Sequence, residues 1–134
     1  MKNRLDLVRG WLRKAESGRI ALNASLEAGA LDAACFHAQQ AAEKYLKAFL
    51  THAGLDFPPT HNLSKLVELA AGLDPTFRSL LSIVEPLTPY AVQLRYDHEF
   101  WPSREVAEEA KSLAEKVRDF ILKKLPQEFF EKLP

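Results

Sequence analysis

At 134 residues the chain has the length of one domain, and 1–134 is read as a single one. Eighteen basic and eighteen acidic residues cancel, so the chain lacks the net positive charge that accompanies non-specific nucleic-acid binding. No apolar run approaches the roughly 18 residues that span a bilayer. The start of the chain lacks the apolar core of a signal peptide, and one cysteine, Cys35, excludes an intramolecular disulfide. The expected setting is the cytoplasm, away from any membrane.

Five helical segments account for almost all of the chain. Leu5, Val8, Leu12 and Ala15 recur at helical spacing, Leu22 and Leu26 continue the stripe, and Gly29 is a natural end. A second helix is predicted from Asp32, as N-cap, to Gly54. Its apolar stripe is Leu31, Cys35, Ala38, Ala42, Tyr45 and Phe49, and its many alanines allow close packing. Pro58 and Pro59 keep 55–61 from being helical throughout. A short third helix places Leu63, Leu66, Val67 and Ala70 inward, with Thr60 or Asn62 as cap. Asp74-Pro75 opens a fourth carrying Phe77, Leu80, Leu81 and Val84. Pro86 and Pro89 must kink or split it before Tyr90, Ala91 and Leu94. After the break at 98–102, Ser103 caps a last helix with Val106, Ala110, Leu113, Val117, Phe120 and Ile121 inward, ended by Pro126. Phe129 and Phe130 suggest that the tail packs on something. Together these lengths and loops describe an all-α, antiparallel up-and-down four-helix bundle with an additional short helix.

Chemistry-bearing residues fall into three groups. Gln40, Glu43, Lys44 and Lys47 share one face of the second helix at spacings of three and four. The plain reading is a solvated face held by a Glu43–Lys47 pair. The functional reading starts from Gln39 and Gln40, which interrupt an otherwise small-residue surface and whose amides are of the kind that pair across close helix contacts, with Lys44 and Lys47 beside them. His61 either bonds a neighbouring backbone carbonyl or stands at the mouth of a cleft beside a helix N-terminus, where anions bind readily. Arg95-Tyr96-Asp97-His98 is the third group. Histidine moves protons near neutral pH, and arginine makes bidentate contacts with phosphate. The plain alternative is an Arg95–Asp97 ion pair with His98 in a loop. His37, His52, His61 and His98 form no close ligand pair, and the five glycines form no phosphate loop. Neither a metal nor another cofactor is expected.

Gln39-Gln40-Ala41-Ala42-Glu43-Lys44, the loop Gly54 to His61 with Pro58-Pro59-Thr60-His61, and the later Arg95-Tyr96 stand in an order that resembles the HEPN domain, from about Leu5 to about Leu125. The resemblance implies a four-helix core with a short helix beside it, a homodimer, and a groove into which Arg95 projects. HEPN ribonucleases work without metal through an arginine followed several residues on by a histidine, one pair from each protomer. Here only Tyr96 and Asp97 separate Arg95 from His98. The position two beyond that histidine, a modifiable tyrosine in one toxin branch, is Phe100.

Two expectations follow from the resemblance. One is a partner protein in a two-gene, toxin–antitoxin-like system, binding nucleotide or phosphate through Lys44, Lys47, His61, Arg95 and Tyr96 and acting with a minimal nucleotidyltransferase encoded nearby. The other is an endoribonuclease toxin acting on RNA through catalytic Arg95 and His98 across a homodimer. The short spacing favours the first. A helical interaction dimer with no ligand is a third reading.

Overall fold

A computed structural model describes residues 3–131; within them the side chains of Leu94 and Arg95 lie outside the described residues. The described residues form helices joined by loops, with no strand among them. Helix α1 spans Arg4–Ala28, α2 Leu31–His52, α3 Leu63–Ala71, α4 Leu81–Val84, α5 Tyr90–Tyr96 and α6 Arg104–Lys124.

The α1 and α2 helices form an antiparallel hairpin. Asn3 caps α1 by accepting from the Asp6 amide, and Gly29 ends it in the left-handed conformation at φ 79°, where a side chain would be strained. The direction of pairing follows from the contacts: Trp11 lies against Lys47, Glu16 against Tyr45, and Gly18 against Ala41. Small residues at Gly18 and Ala41 bring the two backbones close, as the alanine content of α2 suggests. α2 begins two residues earlier than an Asp32 cap indicates. Its N-cap is Ala30, and Asp32 sits instead in the first turn, where its charge favours the helix dipole.

α2 is the centre of the molecule. Thirteen of its residues are buried, because α1, α3, α5 and α6 all pack around it. α6 runs parallel to α2 and antiparallel to α1: Arg104 donates to the Leu26 carbonyl, while Arg118 reaches Glu16 beside Tyr45. Ser103 caps α6 as expected, but its buried stripe is Ala107, Ala110, Ala114, Val117 and Ile121. Val106 is exposed, and Leu113 and Phe120 are only partly buried. Leu5 is likewise exposed. In both helices the predicted stripe starts on the edge of the apolar face, where large residues cover the core without entering it.

The predicted fourth helix is different. Pro75–Leu80 is a 3-10 helix, α4 is one turn, and Glu85–Leu87 is 3-10 again with Pro86 in its first turn. Two prolines so near each other remove the amide donors that a continuous α-helix needs. Asp74 caps the first of these segments, and Lys124 of α6 holds Asp74 at 2.9 Å. Asn62, not Thr60, caps α3; Thr60 accepts from the Asn62 amide. The tail does pack: Phe129 is buried beside His52 at 5.0 Å, and Arg9 donates to the carbonyls of Glu128 and Glu131. No helix among the described residues is long and apolar enough to cross a membrane.

Candidate functional site

The polar residues of α2 are not a solvated face. Gln39 and Glu43 are fully buried, and Lys47 is 8% exposed. Each sits four residues from the next, one step around the helix from the apolar stripe, so the loop 55–62 closes over them. Glu43 is the hub. Its Oε2 accepts from Lys47 Nζ at 3.0 Å and Lys44 Nζ at 3.3 Å. Its Oε1 meets His61 Nδ1 at 2.8 Å and Gln39 Nε2 at 3.2 Å. Gln39 Nε2 also donates to the His61 carbonyl at 3.0 Å, and Gln39 Oε1 accepts from Gln40 at 2.6 Å. The amides therefore pair along α2 and to the loop, not across a helix–helix contact.

Two ammonium groups against one carboxylate leave this cluster positive. Aromatic rings hold the ammonium groups from the other side: Lys47 lies 5.5 Å from the Trp11 ring and 5.7 Å from Phe57, and Lys44 lies 5.7 Å from Trp11. Lys44 and His61 reach the surface, with side chains 24% and 62% exposed. His61 precedes the Asn62 cap of α3, so it does stand beside a helix N-terminus. Its ring bonds Glu43 and not a backbone carbonyl.

A second, partly buried carboxylate ties three helices together. Glu16 of α1 accepts from Tyr45 Oη at 2.7 Å and Arg118 Nε at 2.9 Å, with Arg19 at 3.4 Å. Burial and this hydrogen bond push the Tyr45 phenol far up. For both carboxyls burial acts to raise the pKa, but hydrogen bonds and cations outweigh it and hold Glu16 and Glu43 below the ordinary carboxyl value of 4.5. In acid the unfolded chain thus binds more protons than the folded one. The stability both groups contribute is complete above pH 4.5 and drains away below it. Thermal melts across that range should show a falling acid limb, shallower in Glu16→Gln. An acid limb of equal slope in that variant would contradict the assignment.

Cys35 is buried, and burial pushes its thiol up to about 11; it reads as core in structure as in sequence. α5 ends at Tyr96, and Asp97 is extended at φ −117°, ψ 94°. Arg95 and His98 therefore do not share a helical face, which is the arrangement their three-residue spacing would need. His98 is exposed, its Nε2 3.8 Å from Glu99. Tyr96 is 76% exposed. The contacts of the Arg95 side chain, to Asp97 or to the groove, lie outside the described residues. Of the aromatic residues near this end, Tyr90 and Phe100 pack on each other at 5.6 Å, while Trp101 is exposed. Among the described residues no group of three or more His, Cys, Asp or Glu could hold a metal ion.

Lys44, Lys47 and His61 are thus brought together, through a residue that pattern reading assigned to a solvated ion pair. Gln39 and Glu43 could have been found by their four-residue spacing with Lys47 beside the stripe. Trp11 left no local signal, and of the Glu16 partners only Arg19, three residues on, is local, while Tyr45 and Arg118 lie 29 and 102 residues away.

A small helical domain built around one buried, polar-sided helix is the class of protein that fold and site define. The family model for the HEPN domain matches residues 8–125, and the chain belongs to that family. It is similar to TT1696 from Thermus thermophilus, at 32% sequence identity and a TM-score of 0.74, over 88% of this chain and 98% of that one. It also resembles ST0689, an archaeal HEPN homologue, at 22% identity and a TM-score of 0.71, over 92% of this chain and 98% of that one; at that identity the likeness is one of fold. No curated protein shows a significant match to the chain.

Proposed function

We propose that this chain is a non-catalytic HEPN partner that binds a phosphate-bearing ligand, such as a nucleotide, and acts with a minimal nucleotidyltransferase in a two-gene, toxin–antitoxin-like system. The observation that carries the binding reading is the Glu43 hub, which collects Lys44, Lys47 and His61 into a positive cluster that reaches the surface. In this reading Arg95 supplies a further cation from α5, and exposed Tyr96 offers a ring for base stacking. The nucleotidyltransferase partnership is carried by the family resemblance. The extended backbone at Asp97 favours the partner role over the ribonuclease role. The chain acts as a homodimer, and light scattering should give about twice the 15.1 kDa chain mass.

Calorimetry with nucleoside mono- and triphosphates, on the protein alone and with the neighbouring gene product, tests the binding. A charge-assisted contact contributes about 1.5–3 kcal/mol, so Arg95→Ala should weaken binding roughly ten- to a hundredfold. Total RNA incubated with the protein in the absence of metal should stay intact. Absence of nucleotide binding in both preparations would sink the reading. So would robust RNA cleavage abolished in both Arg95→Ala and His98→Ala, which would establish the ribonuclease instead.

A further inference from the structure

His61 is held at both ends. Its carbonyl accepts from the buried Gln39 amide, and its ring Nδ1 stands 2.8 Å from Glu43 Oε1. Glu43 is held in its ionised form by the donors around it. An ionised carboxylate only accepts hydrogen bonds, so the hydrogen between the two must lie on Nδ1. A neutral imidazole carries one N–H, which leaves Nε2 bare. The Glu43 side chain is 1% exposed and that of His61 62%, so the bare nitrogen is on the ring edge turned away from the buried carboxylate.

We propose that Glu43 is a positioning residue which locks His61 in the Nδ1–H tautomer, and that His61 takes up a proton on its outward Nε2 as a phosphate group binds. The proton uptake rests on the phosphate-binding reading above; the tautomer does not. Charge balance supplies the reason. Among the described residues the charged groups facing His61 are Glu43 directly and, through it, Lys44 and Lys47. From α5 the candidate is Arg95, whose side chain lies outside the described residues. Without ligand, the two ammonium groups already exceed the single carboxylate, and a further cation on His61 would be uncompensated. An arriving phosphate brings the negative charge that makes an imidazolium favourable there. Glu43 behind the ring and phosphate in front would then sandwich it, in the manner by which a carboxylate orients and supports an imidazolium.

Long-range nitrogen–proton NMR of the imidazole rings tests both parts, with His61→Gln identifying the His61 signals. In the free wild-type protein at mildly alkaline pH, Nδ1 should appear protonated and Nε2 bare. At a fixed pH near neutrality, saturating AMP should move the Nε2 signal toward the protonated position. In Glu43→Gln, whose amide can donate as well as accept, the tautomer preference and the ligand-induced shift should both shrink. Should that variant not fold, the wild-type spectra decide the matter. A free protein in the Nε2–H form overturns the lock. An Nε2 signal unmoved by AMP that calorimetry shows to be bound overturns the proton uptake while leaving the binding reading intact. Absence of AMP binding removes the binding reading and the uptake together, and the tautomer is still decided by the free spectrum.

Discussion

Replacing Glu43 with alanine is expected to cost roughly 3–5 kcal/mol of folding stability, the range for removing one partner of a buried ion pair. That is a large part of the roughly 5–15 kcal/mol that holds a domain together. The size comes from what the substitution leaves behind. Lys47 keeps its charge at 8% exposure beside the Trp11 and Phe57 rings, and buried Gln39 loses an acceptor. Lys44 is more exposed and relaxes into water, so it contributes little to the loss. The loop carrying His61 loses its ring anchor and retains the Gln39–carbonyl bond. Urea unfolding of Glu43→Ala measures this directly. A double variant that also converts Lys47 to methionine should recover part of the loss, because the stranded charge is gone. A loss below about 1 kcal/mol in the single variant, or none recovered in the double, would show that the hub is not buried as described.

Phe77→Ala is expected to cost about 3–5 kcal/mol through the cavity it leaves. Phe77 is fully buried, with its ring 4.4 Å from Phe49 of α2 and 4.9 Å from Phe120 of α6. With Leu80, also buried, it anchors the 3-10 segment Pro75–Leu80 in the core, and such a segment has little intrinsic stability. The Asp74–Lys124 contact on the surface is a weak substitute for it. Phe77→Leu, which fills most of the space, should lose much less. Chemical denaturation of the two variants side by side gives the comparison, and equal losses would mean that ring packing is not what holds the segment.

Much of this was legible in the chain itself. The boundaries set by Gly29, Ser103 and Asp74, the helical class and the inward place of Cys35, Tyr45 and Phe77 all follow from local chemistry: capping side chains, a left-handed glycine and apolar spacing. The Arg95–His98 spacing was legible too, and the end of α5 at Tyr96 decides how it plays out, because an extended Asp97 separates two residues that a continued helix would have aligned. Misplaced residues lie where partners decide. Val106 and Leu5 satisfy a helical period but sit at its edge, and the period alone cannot tell edge from centre.

By itself, then, the sequence determined that this is an all-helical protein of HEPN type, with its helices delimited by caps, glycines and prolines, since those effects act within a few residues along the chain. The Glu43–Lys47 pair is local and was legible at its four-residue spacing; tertiary structure alone decided that Glu43 is buried, that His61 joins the lysines on it, and that Glu16 joins Tyr45 and Arg118. The physical reason is that an ionised side chain avoids burial unless partners surround it. Those distant partners are His61 for Glu43, and Tyr45 of α2 and Arg118 of α6 for Glu16, at separations over which no local pattern in the chain carries a signal.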